Sequence, residues 1–297
     1  MKHSELALGA DIGGSHITAA IVNSAESRII STSVTRISIR PDAPVDDLIK
    51  GWAGCIKTAI GYARIEKICL AMPGPFQYEE GICLIRDQNK YPGLFGINVK
   101  ERLAKILDID GRDIYLNNDA ACFLHGEVSG NNHTGINKAI GVTLGTGLGT
   151  AIYTNGSAES ADLWNLPFQN SIAEDYISSG WFTKQYQLQT GKNINGVKEL
   201  STLAETDPVA SNLFQIFGSN LGAFLVKFIN LEQPELIIIG GNIAQAFQYF
   251  SEALLTTVQK IHPSVQISRS THGEHAALIG AVSSWYSSQQ HSIAEKI

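Results

Sequence analysis

Apolar and polar positions along the chain repeat one arrangement in both halves: a strand, a glycine-rich turn and a second strand. In the first half, the apolar runs Leu6–Ile12 and 15–22 flank a pair of glycines, which predicts a β-hairpin. In the second half, the apolar runs Lys138–Leu144 and 150–153 flank a turn with several glycines. The pattern therefore predicts two lobes of similar construction.

Further strands and helices follow each hairpin, because apolar residues at helical spacing alternate with short apolar runs. The predicted helices cover residues 45–60, 99–107, 172–187, 213–228, 245–261 and 276–286. The predicted further strands cover residues 28–38, 67–72, 114–116, 235–239 and 265–268. The helix at 213–228 has the most apolar stripe and is expected in the central core, whereas the tail beyond Ser287 is expected to be loose.

The length of 297 residues exceeds the size at which a single hydrophobic core stops growing, so two domains are expected. Residues 1–118 together with 276–297 are predicted to form a smaller N-terminal α/β domain. Residues 119–275 are predicted to form a larger C-terminal α/β domain. Each domain would then contain one of the two hairpins.

Composition excludes several classes of partner. The chain has 22 basic and 28 acidic residues, a net charge of −6, and no basic block that could follow a phosphate backbone, so nucleic acid is not expected. No signal peptide is evident and no apolar run approaches the length of a membrane helix, which predicts a soluble, cytoplasmic protein with no membrane partner. The four cysteines form no close pair and stand among apolar residues, which predicts buried free thiols.

The strand at 114–116 leads to Asn117, Asn118 and Asp119, directly before a segment with helical character. Aspartate is a preferred helix N-cap residue, so Asp119 has an ordinary structural interpretation. A carboxylate at a strand end can also face a pocket and act as a catalytic base. The other motifs of the chain favour the interpretation of Asp119 as a catalytic base.

The first glycine turn also has two interpretations. Gly13 and Gly14 can supply positive backbone dihedrals, or they can let backbone amides approach an anionic oxygen beside the hydroxyl of Ser15. Asp11 would then hold that anion only through a metal ion or water, since two anions repel. The second turn has GxGxG spacing, but a strand rather than a helix follows it, which disfavours a dinucleotide-binding motif.

With these turns, the chain resembles the sugar kinases of the ROK group (repressors, open reading frames, kinases) over essentially its full length. Five segments in the family order carry the resemblance: residues 10–15 (first phosphate motif), 72–75 (interdomain turn), 117–120 (catalytic motif), 144–149 (second phosphate motif) and 238–242 (adenosine motif). The resemblance implies an α/β, two-lobed hexokinase and actin-like ATPase (ribonuclease H-like) fold with a cleft between the lobes.

The resemblance also implies an ATP-dependent kinase, with Mg²⁺ bound to ATP, in which Asp119 takes the proton from the attacking sugar hydroxyl. The implied sugar contacts outside the loop at 157–174 are Gly74, Asn89 and Asn118. The implied ATP-binding residues are Asp11, Gly13, Gly14, Ser15, Gly145, Thr146, Gly147, Gly240 and Gly241. Asn89 could equally be an ordinary loop residue. A homodimer is expected from the resemblance alone.

One region departs from the family pattern. ROK kinases carry a cysteine cluster that binds zinc and orients the sugar pocket, and these cysteines are absent here, so we predict no structural zinc. By position, Asp162 and Asn165 replace a family glutamate and histidine, and Glu174 falls where a family glutamate contacts the sugar, although a solvated helix residue would look the same. The apolar residues that could hold this loop instead, or simply be core, are Trp164, Leu166 and Phe168.

The expected reaction is ATP-dependent phosphorylation of a hexose hydroxyl, the 6-hydroxyl of glucose or of an N-acetylhexosamine such as N-acetylmannosamine. A sugar-sensing ROK repressor is one alternative, but it would carry an additional N-terminal helix-turn-helix, and the predicted first strand at Leu6 leaves no room for one. A non-catalytic sugar-binding protein is the other. The altered region at 157–174 allows it, whereas the glycine turns and Asp119 argue against it.

Overall fold

The structure is a computed structural model in which the described residues are 6–86, 91–129, 133 and 135–294. Asn89, a predicted sugar contact, lies outside them. The strands are β1 (Leu6–Ile12), β2 (His16–Asn23), β3 (Arg28–Ile29), β4 (Thr35–Ser38), β5 (Ile68–Met72), β6 (Phe76–Gln77), β7 (Ile82–Cys83), β8 (Ile114–Asn118), β9 (Lys138–Leu144), β10 (Leu148–Thr154), β11 (Ser157–Ser160), β12 (Pro167–Phe168), β13 (Ser171–Ile172), β14 (Leu236–Gly240) and β15 (Gln266–Arg269). The α-helices are α1 (Val45–Ile60), α2 (Val99–Leu107), α3 (Asp119–Ser129), α4 (Ser179–Thr190), α5 (Val197–Leu203), α6 (Pro208–Glu232), α7 (Phe247–Gln259) and α8 (Ala276–Ala294).

The chain divides into two compact units. Unit 1 comprises Met1–Gly135, Gly156–Glu159 and Glu274–Ile297. Unit 2 comprises Ile136–Asn155 and Ser160–Gly273. Residues 119–135 therefore group with unit 1, in contrast to the predicted boundary after residue 118. The physical reason is that α3, which forms most of this segment, packs along α8.

Unit 1 is built on a six-stranded sheet in the order β3-β2-β1-β5-β8, with β4 also paired to β2. β1 and β2 form the first predicted hairpin, and β1, β5 and β8 run parallel to one another. Parallel strands need cover on both faces. Helices α1 and α2 pack on one face, and α3 and α8 pack on the other. The carboxyl ends of three strands, at Ile12, Met72 and Asn118, consequently lie along one edge of the sheet.

Helices α3 and α8 approach so closely that only glycine fits at their contact. A Cβ atom at Gly280 would lie 1.7 Å from the carbonyl oxygen of Cys122, and one at Gly126 would lie 2.0 Å from the carbonyl oxygen of Ala276. The glycines of the two helices thus allow their backbones to pack in direct contact. The backbone of α3, which begins at Asp119, is positioned by direct contact with the backbone of α8.

Unit 2 repeats this topology on a second sheet, in which β10, β9, β14 and β15 are neighbours in that order. β9 and β10 form the second predicted hairpin, and β9, β14 and β15 run parallel. The aromatic residues that α6 contributes to the core are Phe214, Phe217, Phe224 and Phe228. The carboxyl ends of β9 and β14, at Leu144 and Gly240, lie side by side at one edge of this sheet.

The predicted strand at 28–38 is divided into β3 and β4 by a 3₁₀ turn at Ser31–Ser33. The hydroxyl of Ser33 accepts a hydrogen bond from the N–H of Ile21 at 2.8 Å and donates to the carbonyl oxygen of Ile30 at 2.6 Å. A side chain that bonds to backbone groups in this way competes with the regular strand ladder. The sequence pattern did not reveal this competition.

Two predicted helix bounds are wrong. The helix expected at 172–187 begins only at Ser179, because residues 171 and 172 pair with β12 in a short hairpin. The tail that was expected to be loose beyond Ser287 continues α8 as far as Ala294. In the first case, pairing with another segment overrides a helical pattern, which local spacing cannot show.

Helix α6 corrects the expectation that no apolar run approaches the length of a membrane helix. It has 25 residues and an 18-residue window with mean hydropathy 1.3, which suffices by length and composition. Half of that window is buried inside the fold, in the core of unit 2. Because the central helix of a soluble protein has the same character, this helix is weak evidence for a membrane.

Candidate active site

Three turns lie at the carboxyl edge of the unit 1 sheet, directly after β1, β5 and β8. These turns contain Gly13 to Ser15, Pro73 to Pro75, and Asn118 with Asp119. The strand ends are neighbours, since Asp11 is paired in register with Ala71, and Met72 with Asn118. Open α/β sheets bind ligands at this edge. The structure therefore brings together the unit 1 residues of the first phosphate, interdomain and catalytic motifs.

Asn118, rather than Asp119, caps helix α3. Its Oδ1 atom accepts hydrogen bonds from the backbone N–H groups of Ala120, at 2.9 Å, and Ala121, at 3.1 Å. Its Nδ2 atom donates to the hydroxyl of Tyr78 at 3.1 Å, and the residue is only 7% exposed. These bonds engage both ends of the amide, so the contact of Asn118 with a sugar hydroxyl stays a prediction.

Asp119 is the first residue of α3 and is partly exposed. Its Oδ1 atom accepts a hydrogen bond from the N–H of Ala120 at 2.8 Å. The positive end of a helix dipole stabilises a negative charge at this position. Because Asn118 carries out the capping, the ordinary structural interpretation of Asp119 loses its main support. Asp119 presents an ionisable carboxylate at the ligand-binding edge of the sheet.

Gly74 packs against the pair formed by Asn118 and Tyr78. A Cβ atom at Gly74 would lie 2.9 Å from the Tyr78 hydroxyl and 3.4 Å from Nδ2 of Asn118. The Tyr78 hydroxyl donates to the carbonyl oxygen of Met72 at 3.2 Å. Tyr78 is not among the predicted site residues, because nothing in its local sequence distinguishes it from a surface loop tyrosine.

Asp11 lies among other carboxylates. The pKa of Asp11 is raised to about 7. Burial is the largest cause, the negative charges of Asp119 and Glu274 add to it, and the positive charge of Arg36 opposes it. Arg36 is ion-paired with Glu274. A carboxylate with so strongly raised a pKa is typical of a functional site, where a proton or a cation is bound.

We expect Asp11→Asn to stabilise the unliganded protein at pH 8 by on the order of 2–4 kcal/mol. The pKa of Asp11 in the folded protein is about 7, above the usual aspartate value of 3.8. Between about pH 4 and pH 7, the folded protein therefore keeps a proton on Asp11 that the unfolded chain has already lost. Stability therefore falls as pH rises through this window. Asparagine does not ionise, so the variant lacks the loss of stability with rising pH that is due to Asp11. Urea unfolding at pH 5 and pH 8 measures the difference.

The matched control is Asp47→Asn, which changes an exposed aspartate in the first turn of α1. It should leave the difference in stability between pH 5 and pH 8 as in the wild type. If Asp11→Asn also keeps the wild-type difference, the raised pKa of Asp11 is contradicted.

The fold itself does not require the glycines of the first phosphate turn. Neither Gly13 nor Gly14 has a positive φ, so the interpretation of the pair as a source of positive dihedrals is wrong. A Cβ atom at Gly14 would meet no atom within 4 Å, and Ser15 beside it is exposed. The missing side chains leave room for an anion to reach the backbone amides.

Tyr91 fixes the first phosphate turn from the protein interior. Its hydroxyl donates to the carbonyl oxygen of Gly13, 78 positions away in the chain. The residue is fully buried, and its ring meets that of Trp52 edge to face, with the centroids 5.5 Å apart. Burial raises the pKa of Tyr91, so its hydroxyl stays protonated and able to donate. The sequence places Tyr91 only in a loop and gives no signal of this role.

In unit 2, the second phosphate turn follows β9. The carbonyl oxygen of Gly145 accepts from the N–H of Ser179, the first residue of α4, at 2.8 Å. Thr146 is exposed, and a Cβ atom at Gly145 would meet no atom within 4 Å. As at Gly14, the fold leaves space where the side chain is missing, which suits an anion at the backbone.

Glu174 lies against this second turn. Its Oε2 atom accepts from the N–H of Leu148 at 2.9 Å, and a Cβ atom at Gly147 would lie 2.6 Å from the same oxygen. Glu174 belongs to a 3₁₀ turn at Ala173–Asp175 and is partly buried, so it is not a solvated helix residue. The glycine at 147 makes room for the carboxylate. The contact of Glu174 with a sugar stays a prediction.

The turn after β14 requires its glycine. Gly241 has a φ of +85°, and a Cβ atom there would lie 2.3 Å from the carbonyl oxygen of Leu144. Gly240 pairs in register with Thr143 of β9. The predicted adenosine motif at Gly240 and Gly241 therefore lies beside the beginning of the second phosphate turn.

Asp162 and Asn165 lie at the two ends of the 3₁₀ turn Leu163–Asn165, and both are exposed. Asp162 has a φ of +50° and accepts from the hydroxyl of Ser160 at 2.8 Å. The turn packs against the 3₁₀ turn that carries Glu174. The structure thus places the segments of the three predicted sugar contacts of unit 2 next to one another.

Apolar packing accounts for the position of this loop. Trp164 and Leu166 pack against the core of unit 2, and Phe168 belongs to it. Lys227 donates to the carbonyl oxygen of Pro167 at 3.1 Å and lies 5.3 Å from the centre of the Phe168 ring. The four cysteines are buried free thiols, as predicted. No group of three or more His, Cys, Asp or Glu side chains that could hold a metal occurs in the described part of the chain, and the absence of structural zinc stays a prediction.

Three known proteins are similar to this chain, in sequence or in structure, over most of its length. An N-acetyl-D-glucosamine kinase from Pectobacterium carotovorum is 22% identical, over 92% of this chain and 96% of that protein. The crystal structure of a ROK family glucokinase from Streptomyces griseus in complex with glucose and AMPPNP has a TM-score of 0.78 at 21% identity, over 93% of this chain and 97% of that one. A ROK family transcriptional regulator, a homologue of the E. coli MLC protein, has a TM-score of 0.78 at 19% identity, over 95% of this chain and 78% of that one.

The structural similarities show that the predicted hexokinase and actin-like ATPase fold is correct. The ROK family model matches residues 7–160 and 169–287. Residues 161–168, between the two matched segments, contain Asp162 and Asn165 and belong to the loop that departs from the family pattern. Since the match covers most of the sequence, the chain belongs to the ROK family.

Proposed function

We propose that the protein is an ATP-dependent kinase that phosphorylates a hydroxyl group of a hexose or an N-acetylhexosamine. The observation that carries the proposal is the position of Asp119. It lies at the carboxyl edge of the unit 1 sheet, Asn118 performs the capping in its place, and its charge raises the pKa of Asp11. The sugar kinases among the relatives of the chain support the same activity.

In the proposed reaction, Asp119 accepts the proton of the sugar hydroxyl as the hydroxyl oxygen attacks the γ-phosphorus of ATP. A bond forms between that oxygen and phosphorus, the bond from phosphorus to the bridging oxygen of ADP breaks, and ADP leaves. The proton on Asp119 then exchanges with water. A positioned base contributes about 10²- to 10⁴-fold in rate, and alignment and charge neutralisation supply most of the remainder.

The phosphate groups of ATP are the ligands that we assign to the glycine turns of each unit. Gly14 and Gly145 support this role because their missing side chains leave open space beside backbone amides. The hydroxyls of Ser15 and Thr146 are exposed next to those amides and can donate to phosphate oxygens. The turn after β14 is assigned to the nucleoside.

Asp11 is the residue that we assign to Mg²⁺ accompanying ATP. Its carboxylate is the kind of hard oxygen ligand that magnesium uses, and few protein ligands are needed because magnesium keeps several waters. The nearby charges of Asp119 and Glu274, which raise the pKa of Asp11, would also attract a cation. When bound, magnesium neutralises the charge on the transferring phosphoryl group.

For the sugar, we propose glucose or an N-acetylhexosamine such as N-acetylmannosamine, with transfer to the 6-hydroxyl. Asp162, Asn165 and Glu174 are the residues of unit 2 that we assign to its hydroxyls, because their segments pack together. Asp162 and Asn165 form different hydrogen bonds from the family's glutamate and histidine. A site built around particular hydroxyls discriminates sharply, so these two residues are expected to set the sugar preference.

A panel of hexoses and N-acetylhexosamines, each incubated with Mg²⁺ and ATP in a coupled assay for ADP, tests the proposal. We expect ADP release that depends on one or a few of these sugars, and NMR of the product should place the phosphate on the 6-hydroxyl. The absence of sugar-dependent ADP with every sugar would contradict kinase activity. Calorimetric titration with the same sugars would then show whether the protein is a non-catalytic sugar-binding or sugar-sensing member of the family.

That alternative stays relevant because a transcriptional regulator has the same fold. The fold is therefore compatible with both catalysis and sensing. Asp119 and the glycine turns are the features that favour catalysis. A homodimer, expected from the resemblance, and a cytoplasmic location, expected from the sequence, stay predictions.

A further inference from the structure

The hydroxyl of Tyr78 joins the ends of two parallel strands in unit 1. It donates to the carbonyl oxygen of Met72, the last residue of β5, at 3.2 Å, and it accepts from Nδ2 of Asn118, the last residue of β8, at 3.1 Å. Met72 and Asn118 are register partners in these strands. A hydroxyl has one donor and two acceptor positions, so both bonds form at once.

The bond from Asn118 to Tyr78 determines which way the amide of Asn118 faces. With Nδ2 toward Tyr78, Oδ1 faces the N–H groups of Ala120 and Ala121 and caps α3. The reverse orientation would place an amide N–H₂ against two N–H donors, and the cap would be lost. The Tyr78 hydroxyl therefore favours the one orientation in which Asn118 can begin the helix.

The capping bond and the carboxylate of Asp119 share a backbone group. The N–H of Ala120 is donated both to Oδ1 of Asn118, at 2.9 Å, and to Oδ1 of Asp119, at 2.8 Å. Any movement of the Asn118 amide changes the position of this N–H and with it the carboxylate. The hydroxyl of Tyr78 is thus connected to Asp119 by hydrogen bonds through the side chain of Asn118 and the N–H of Ala120.

We propose that Tyr78 is a positioning residue for Asp119, acting through Asn118. The inference rests on the proposed kinase function. The ring of Tyr78 stacks on that of Phe76, with centroids 5.7 Å apart and an interplanar angle of 25°. This stacking keeps the ring in place when only the hydroxyl is removed, so Tyr78→Phe isolates the hydrogen bonds.

We expect Tyr78→Phe to lower kcat for sugar phosphorylation about 10- to 100-fold, because small displacements of a catalytic group have effects of this size. The KM for ATP should change less than about twofold, since the first phosphate turn is held by Tyr91 and not by Tyr78. A purely structural defect would instead lower the melting temperature and change the parameters of both substrates. Tyr62→Phe, at a fully exposed tyrosine, is the matched control and should keep wild-type kinetics.

A double-mutant cycle with Asn118→Ser tests the route of the effect. Serine can cap α3 with its hydroxyl, but it has no amide to donate to Tyr78. In the Asn118→Ser background, adding Tyr78→Phe should lower kcat by less than about twofold, because the connection is already broken. Independent, multiplicative losses would show that Tyr78 does not act through Asn118 and would overturn the proposal.

The remaining outcomes separate this inference from the proposed function. If the wild type phosphorylates a sugar and Tyr78→Phe keeps kcat within about twofold, the positioning role is wrong and the kinase assignment stands. If the wild type releases no ADP with any sugar, the kinase assignment fails and the positioning role fails with it.

Discussion

Asp119→Asn is expected to lower kcat for sugar phosphorylation about 10²- to 10⁴-fold while the protein stays folded. Asparagine has nearly the same shape as aspartate, so its Oδ1 atom can still accept from the N–H of Ala120 at the start of α3. It cannot take the proton from the sugar hydroxyl. Because the base acts in the transition state, the loss should appear in kcat and in kcat/KM alike, with little change in the KM for ATP. The coupled ADP assay measures all three.

Asp47→Asn is the matched control, since Asp47 is also an aspartate in the first turn of a helix and is exposed. It should have wild-type kcat, and circular dichroism should show both variants folded. Wild-type turnover in Asp119→Asn would remove Asp119 from the mechanism. A folded but inactive Asp119→Asn would leave the sequence assignment of the base in place.

Gly280→Ala is expected to destabilise the protein by about 3–5 kcal/mol. The added Cβ atom would lie 1.7 Å from the carbonyl oxygen of Cys122 and 2.6 Å from the N–H nitrogen of Gly126, both in the backbone of α3. A backbone atom cannot rotate away as a flexible side chain can, so the two helices must separate. Urea unfolding followed by circular dichroism measures the loss. Since α3 begins at Asp119, kcat should fall as well.

Gly54→Ala in α1 provides the control for this substitution. Gly54 is also a helical glycine, but a Cβ atom there would meet no atom within 4 Å. Alanine is the better helix former, so this variant should gain up to about 1 kcal/mol. Equal stability changes in the two variants would contradict the close packing of α3 and α8.

Much of the fold could be predicted from local patterns. The hairpins β1–β2 and β9–β10 follow from two apolar runs on either side of glycines, and both are confirmed. The predicted helix at 99–107 is α2, and the side chain of Asn98 caps it by accepting from the N–H of Glu101. Such features depend on residues close together in the chain, where spacing and residue type carry the information.

The finer features of the site depend on contacts between distant residues. Asn118 and Asp119 are adjacent and both suit an N-cap. The structure shows that Asn118 fills it, with the other end of its amide bonded to Tyr78, 40 positions earlier. Glu174, which the sequence places in a helix, lies in a 3₁₀ turn, where it accepts from the N–H of Leu148, 26 positions earlier. No local pattern encodes such partners, so the residues of the turns were predictable but the groups that hold them were not.

The division of unit 1 between the two ends of the polypeptide affects how the protein is made. Helix α3 leaves the ribosome well before α8, because residues 130–275 are translated in between. At about 5–20 residues per second this takes roughly 7 to 30 seconds. During that time, the nascent sheet of unit 1 lacks the helix that covers Ala7, Cys69 and Ala71. This apolar face therefore stays uncovered until α8 has been translated and has packed against it.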